Sequence, residues 1–408
     1  MQPKLPIGVF HPGTQHSWQT ARALQEGQEL AWYATSIFWV KDRFPYSMVP
    51  WLPSSLRRRA EAELIRFFHP SLDPSSVHTF AGPEWGMRLA RRLGYRSYAK
   101  RLQRQSASTF AGPVEKLMER LPVRAVWGYD QTSLEVFQEA KRRGITTILD
   151  RTIGHPAVYN RLMDEVYAKY PEFFLSPEYR ISQEQIDRAD AEHELADHIL
   201  VGSQFCAETL VDPNVRVVDA TKIRVLPYCF DDTFFKALPT RDRQQTSPVR
   251  FLFTGQAGPR KGIHLVLKVF DKIPRSAATL TILGDLQVPP ETFRRYSDRV
   301  EIHRTVARPD VARFMANADY LLLPSYFEGA ALVVYEALAA GLGIIQSKNT
   351  DVMLAADSPF LLQRLDEDEL FRCVMNAIER PRAAPDFNSS DFNFDVYRRR
   401  VIEVVQKL

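Results

Sequence analysis

The sequence predicts an α/β protein built as two doubly wound, parallel-sheet domains that face an inter-domain cleft. Three observations carry this. Short β-branched and apolar runs alternate with helical patterns along the chain, which means βαβ units and sheets covered on both faces. The chain has 408 residues, more than one ordinary core. One stretch, Ala237–Pro248 (ALPTRDRQQTSP), is polar, proline-bearing and aperiodic, and so reads as a linker. The expected organisation is an N-terminal domain over 1–236, a linker over 237–248, a second domain over 249–385, and a terminal helix over 386–408 that crosses back to the first.

In chain order, the first half offers strands at Ile7–Phe10, Ala125–Trp127, Thr146–Leu149 and His198–Val201, with a helix over Ser133–Arg143. The second half offers strands at Val249–Phe253, Thr279–Leu283, Val300–Ile302, Tyr320–Leu323 and Gly343–Gln346, with a helix over Pro309–Asn317. In such sheets, ligands bind beyond the carboxyl ends of the strands.

Composition narrows the classes. With 45% hydrophobic and 25% charged residues, the chain is neither disordered nor fibrous. Cys206, Cys229 and Cys373 are odd in number and far apart, so they suggest no disulfide framework and no CxxC metal pair; a reducing compartment fits. The apolar stretch near the N-terminus is too short for a signal core, and the longest nearly apolar run, Ala330–Ile345, is interrupted by Glu336 and too short for a bilayer span. A cytoplasmic protein is expected, either free or peripheral on the inner membrane face. The net charge of +4 is too mild to argue for nucleic acid.

That charge is uneven. Between Pro50 and Gln105 stand eleven basic residues (Arg57, Arg58, Arg59, Arg66, Arg88, Arg91, Arg92, Arg96, Lys100, Arg101 and Arg104) against four acids (Glu61, Glu63, Asp73 and Glu84). The first cluster reads as a helix capped by Ser54 or Ser55, with Leu56, Ala60, Leu64, Phe67 and Phe68 near helical spacing. Beside Trp51 such a helix could meet anionic headgroups. The competing reading is a solvated helix whose apolar stripe packs on the core.

The first stretch that carries chemistry is FLFTGQAGPRKGIHLVLKVF. A buried strand meets Gly255, a loop follows with Gly258, Arg260, Lys261 and Gly262, and an amphipathic helix begins near Ile263. Glycines permit close backbone approach, and a helix N-terminus favours an anion. Two cations there oppose the helix dipole until an anion arrives, so a phosphate-bearing ligand suits the loop. A surface turn with solvated cations is the alternative. The loop is neither a Walker loop nor GxGxxG.

The second is YLLLPSYFEGAALVVYEALAAGLGII. Glu328 follows a buried strand, and Glu336 interrupts an apolar helix, where its charge needs a partner. Carboxylates accept paired hydrogen bonds from vicinal diols, as on a ribose or a sugar; a pair of salt-bridged glutamates is the alternative.

Together these residues resemble glycosyltransferase family 4: KG at Lys261–Gly262, strand-PS-x-x-EG over Tyr320–Gly329, Glu328-x7-Glu336, and EALAAG over Glu336–Gly341. ADHILVGSQFCAETL and KIRVLPYCFDDTFF look like that family's approach between domains. The resemblance covers Ala196–Gln346 most firmly. It implies the GT-B fold and a retaining, metal-independent transfer from a nucleotide diphosphate sugar, which is a co-substrate rather than a cofactor. The acceptor would be a hydroxyl of a glycan, a lipid-linked or a small molecule.

By position, the resemblance implies that Lys261 binds the donor diphosphate with Arg260 assisting, that Glu328 holds hydroxyls of the transferred sugar, and that Glu336 holds the ribose. Gly13 and Gly255 would line the donor, amides near Leu332 and Val333 would meet a phosphate, and His303–Val306 would lie near the base. Two positions depart from the family: Gln256 stands where Arg is common, and Ala331 where a second Gly is frequent, narrowing the space near the donor sugar.

In the first half, the loop after Ile7–Phe10 carries Gly13 and His16, and the resemblance brings it towards the donor phosphates and acceptor. After Thr146–Leu149 come Asp150, Arg151 and His155. The resemblance favours His155 near the sugar, with Asp150 the next choice; both His16 and His155 read equally well as ordinary loop residues. Asp130 is a candidate for orienting the acceptor. His11, His264 and His303 read as structural or solvated. The leaving diphosphate would be stabilised by Lys261, Arg260 and helix N-termini rather than by a metal, and no protein nucleophile is assigned. Two other classes fit the same pocket: a nucleotide-sugar sensor or scaffold, and a GT-B enzyme of other chemistry such as a phosphorylase or epimerase.

Overall fold

A computed structural model describes residues 5–13, 16–80, 90, 95, 109–216, 218–230, 248–304, 306, 308–351, 353–379 and 389–408. The linker, apart from Pro248, lies outside these, as do Arg88, Arg91, Arg92, Arg96, Lys100, Arg101 and Arg104.

Two parallel sheets form the framework. The first holds β1 (Ile7–Phe10), β2 (Leu30–Thr35), β3 (Val77–Thr79), β4 (Ala125–Tyr129), β5 (Thr146–Arg151), β6 (His198–Val201) and β7 (Ile223–Val225), in the spatial order β3-β2-β1-β4-β5-β6-β7. The second holds β8 (Val249–Thr254), β9 (Ala278–Leu283), β10 (Val300–His303), β11 (Tyr320–Leu323), β12 (Gly343–Ser347) and β13 (Leu361–Leu362), in the order β10-β9-β8-β11-β12-β13. This is the GT-B fold. The central strands are buried along their length, which is why they read as continuous apolar runs rather than alternating ones.

Strand order reverses between β1 and β4 in the first sheet and between β8 and β11 in the second. Crevices at such switch points are where ligands meet open α/β sheets. The loops leaving β1, β4, β8 and β11 carry Gly13 and His16, Asp130, Gly255 to Lys261, and Glu328, so topology gathers the candidate residues at both crevices.

The halves are joined in several places. Helix Phe394–Gln406 packs along helix Ser17–Glu26 of the first half; the Tyr397 and Thr20 hydroxyls are 2.8 Å apart, and the Arg22 guanidinium lies 3.6 Å from the Phe394 ring centre. One apolar cluster runs from Val9 and Trp127 through Tyr228 to Val334 and Tyr335.

Several boundaries differ from the sequence reading. Strands β2, β3, β7 and β13 were not anticipated; β3, β7 and β13 are too short to show a period. Strand β4 runs on to Tyr129 and pairs Tyr129 with Asp150, so Asp150 lies inside β5 rather than after it. Helix Ser54–Leu64 begins after Pro53 with no side-chain cap, so neither Ser54 nor Ser55 caps it. Leu64 is its one buried residue, Ala60 is half-buried and Leu56 is exposed, so the core-packing stripe of the competing reading stops short of Leu56.

Candidate active site

Backbone geometry builds the second half's loop. Gly255 (φ 111°) and Gly262 (φ 71°) occupy the left-handed region, and a Cβ on Gly262 would sit 2.1 Å from the Pro324 carbonyl oxygen. That close approach seats a short turn, Pro259–Lys261, against the loop leaving β11. The Tyr326 amide donates to the Arg260 carbonyl at 2.8 Å, locking the two loops together.

The side chains then converge on Glu328. Lys261 Nζ lies 2.8 Å from Glu328 Oε1, and Arg260 Nη1 lies 2.8 Å from Oε2. Arg260 also donates to the Phe327 carbonyl, and the Ser325 hydroxyl to Oε1. Lys261 and Glu328 are both buried. Burial alone would raise the Glu328 carboxyl, but the two cations overcome it and hold it at about 2. The Lys261 stem passes over Gly255: a Cβ there would meet Cε at 3.1 Å. The anion that faces the two cations is thus the protein's own carboxylate.

Helix Leu332–Ala339 follows, with Leu332, Val333 and Glu336 half-buried and Ala331 buried at its N-cap. The Leu332 amide donates to the Ala330 carbonyl at 3.2 Å. Gln256 is exposed beside Gly255. His303 closes β10 with its Nε2 2.7 Å from Glu301.

A second cluster occupies the first half. Asp150 is fully buried and accepts from Tyr228 Oη at 3.0 Å and Trp127 Nε1 at 3.2 Å. His16 Nε2 stands 3.5 Å from its Oδ2, and the His16 ring lies against Tyr228 with centroids 3.9 Å apart. His11 accepts from the Gly13 amide at 3.0 Å, and burial pushes its imidazole down to about 4, so it is neutral at pH 7. Asp130 accepts from the Thr152 amide and hydroxyl and stands 3.5 Å from Arg151. His264 is packed among Tyr170, Phe173 and Tyr326, and burial lowers it to about 3.

The two clusters approach each other through the first half's loops. Ile153 pairs with Gly329 as an isolated bridge, and Ser203 donates to the Gly329 carbonyl. Gly202 sits between Tyr228 and Ala330: an added Cβ would meet Ala330 at 2.5 Å and the Tyr228 ring at 2.8 Å.

His155 is not drawn into either cluster. Its ring is buried, Nδ1 accepts from the Ala157 amide at 3.2 Å as the cap of helix Pro156–Lys169, and Nε2 pairs with Asp190 at 2.9 Å. His155, Asp190 and His193 bring three potential metal-ligand atoms within 4.8 Å of one another, a grouping the sequence reading missed although Asp190 and His193 stand three apart on one helix. Ser325, three residues before Glu328 within the same motif, and Tyr228, distant in sequence from Asp150, were also missed.

Comparison with known proteins adds the following. Residues 248–380 match the family model described as "Glycosyl transferases group 1". The lipopolysaccharide glucosyltransferase WaaG of Escherichia coli (strain K12) is 33% identical over 91 residues, 21% of this chain and 24% of its own length. The D-inositol 3-phosphate glycosyltransferase of Xylanimonas cellulosilytica is 27% identical over 186 residues, 40% of this chain and 42% of its own. The chain thus spans less than half the length of these curated relatives. Among solved structures, sucrose-phosphate synthase from Thermosynechococcus elongatus superposes with a TM-score of 0.67 at 14% identity, covering 99% of both chains. Anabaena Alr3699/HepE in complex with UDP-glucose gives 0.62 at 15% identity, covering 99% of this chain and 100% of that one. Residues 248–380 thus carry the glycosyl transferases group 1 signature on a GT-B fold.

Proposed function

We propose that this protein is a retaining glycosyltransferase that moves a sugar from a nucleotide diphosphate sugar to a hydroxyl acceptor. The observation that carries the reading is the buried Arg260–Lys261–Glu328 cluster, set on a glycine loop at a strand-order reversal within the segment that matches the family model. A diphosphate entering there exchanges with Glu328 as the partner of both cations. The displaced carboxylate is then free to accept from sugar hydroxyls, and Glu336, eight residues on, is offered to the ribose. Charge developing on the leaving diphosphate meets Lys261, Arg260 and the start of helix Leu332–Ala339, so no metal is needed for that task. The diphosphate oxygen that leaves takes up the acceptor's proton on the same face of the sugar, and no residue acts as nucleophile.

His16, oriented through Asp150, stands on the acceptor side with Asp130. UDP-glucose and related nucleotide sugars are the first donors to test, since the HepE complex holds UDP-glucose and two partial relatives are named for sugar transfer. The acceptor class stays as broad as a glycan, a lipid-linked or a small-molecule hydroxyl, and a cytoplasmic setting suits such donors. The test is a turnover screen of nucleotide sugars against acceptor mixtures, reading release of the nucleoside diphosphate with and without EDTA. Donor-specific release that EDTA leaves unchanged supports the reading. Tight donor binding with no transfer to any acceptor class turns it towards a sensor.

A further inference from the structure

The segment between β2 and β3 is built unlike the rest of the first half. Ile37, Trp39, Tyr46, Leu64 and Phe67 form a small apolar cluster of their own. A 3-10 helix, Tyr46–Trp51, sits on it with Tyr46 and Val49 directed inward; the threefold period then sends Met48 and Trp51 outward. Leu64 is the one fully buried residue of helix Ser54–Leu64.

What remains faces solvent. Every residue from Pro50 to Arg59 is exposed. Trp51 is 88% exposed and Phe44 81%, and six of the twelve large hydrophobics that stand exposed among the described residues fall within Phe44–Ile65. Scattered exposed apolar residues are ordinary, but half of them on one projection are not. Beside them stand Arg57, Arg58 and Arg59, and no acid occurs between Pro45 and Ala60. Only Arg57 of the three has an acidic partner among the described ion pairs, Glu61 one turn on.

We propose that the outer face of Phe44–Arg59 docks on an anionic lipid bilayer. Charge sets the choice of partner. Arg57, Arg58 and Arg59 fan out around one exposed helical turn, and their long stems let cationic heads reach headgroup phosphates, while Trp51, Phe44 and Met48 are large enough to enter the boundary beneath. Exposed arginines and exposed aromatics within one short segment combine the two contributions that interfacial binding needs, electrostatic attraction and buried apolar area. A protein partner would need a surface of matching shape, whereas a fluid layer adapts to exposed side chains such as Trp51 and Phe44. The inference does not depend on the transferase reading, because binding to lipid is measured without turnover.

The experiment is co-sedimentation of the full chain with vesicles of equimolar phosphatidylcholine and phosphatidylglycerol, and with vesicles of phosphatidylcholine alone, at low and high salt. Three variants accompany the wild type: Trp51→Ser with Phe44→Ser, Arg57→Glu/Arg58→Glu/Arg59→Glu, and Leu121→Ser as an exposed apolar control elsewhere. Thermal unfolding checks that each folds. The expected result is binding to the anionic vesicles that salt weakens, falls about tenfold or more in both patch variants, and is unchanged in the control. Absence of sedimentation at low salt overturns the proposal, as does equal binding of wild type and both patch variants. A concentration-dependent dimer without lipid, lost on Trp51→Ser, assigns the face to a second copy and also overturns it.

Discussion

Two buried glutamates, one in each half, have nearly the same exposure and opposite chemistry. Glu192 lies on helix Gln183–Leu195 and is fully buried, accepting from the amides of Gln131, Ser133 and Leu134 at 2.7, 2.9 and 3.2 Å. Its nearest cation, Arg188, stands 3.6 Å away, and burial raises the carboxyl to about 7 despite those amides. Glu328 is buried too, yet two cations at 2.8 Å hold it at about 2. Burial is common to both, so the contrast comes from the neighbours: amide dipoles soften the desolvation of a carboxylate, while two full charges reverse it. Glu192 closes the start of helix Leu134–Arg142 and so serves the fold. Glu328 is held ionised by the two cations it pairs with, cations that an incoming anion can also claim.

The largest way to break this contrast is to remove one cation. Lys261→Ala should lower turnover by on the order of 10²-fold or more, because a preorganised charge aimed at the leaving group is lost. Arg260→Ala should cost less, and in both the Glu328 carboxyl should move up towards the behaviour of Glu192. Steady-state rates with the donor identified in the turnover screen, together with a carboxyl titration, check both. Near-normal rates in the two single variants would place the diphosphate elsewhere.

A third carboxylate sharpens the comparison. Glu336 is half-buried on helix Leu332–Ala339, more open to solvent than either of the other two. If it accepts from the donor ribose, Glu336→Gln removes a charge-assisted bond worth about 1.5–3 kcal/mol, a loss of roughly tenfold to a hundredfold in donor affinity. Calorimetry with that same donor reads it; unchanged affinity in a folded variant takes Glu336 out of the site.

The smallest effect is on stability against pH, and here the two residues should act in opposite directions. Glu328 titrates below its ordinary 4.5, so its contribution is present above that pH and lost as the pH falls through about 2. Glu192 titrates above 4.5, so its contribution is present below that pH and lost as the pH rises through about 7. Glu192→Gln should therefore flatten the slope of stability between about 4.5 and 7, and Glu328→Gln the slope below 4.5. Denaturant midpoints across pH separate the two; a shared slope change would mean the environments differ less than their neighbours indicate.

How much of this was legible depended on distance along the chain. The glycine loop and the acidic pair are local motifs, so Lys261, Glu328 and Glu336 could be named from spacing, and their strands from continuous apolar runs. Glu192 could not, because the amides it caps lie 58 to 61 residues away and nothing near it in sequence reports them. The same holds for Tyr228, which reaches Asp150 across 78 residues. His155 stood out through its place after a strand, but its ring turned to Asp190 and its own helix, a choice made by packing rather than by pattern. The helix over Ser54–Leu64 was legible as a helix, while the face it presents to solvent was not, because amphipathic spacing alone does not say which neighbour is there to be covered.

Gly329 ties these observations together mechanically. It follows Glu328 directly, its strand-like bridge is to Ile153, its carbonyl takes the Ser203 hydroxyl, and a Cβ upon it would lie 1.9 Å from the Thr152 carbonyl oxygen. A missing methyl group is thus what lets the other half reach the peptide that carries the carboxylate. A shift of the first half against this peptide would act on the residue beside it, Glu328, whose carboxylate Lys261 and Arg260 share. Linkage makes the effect reciprocal: a molecule held by the first half that tightens this junction changes the second half's affinity for an anion by the same factor that the anion changes its own. Among the several contacts that join the halves, this one bears directly on the peptide beside the carboxylate, and it exists because residue 329 has no side chain.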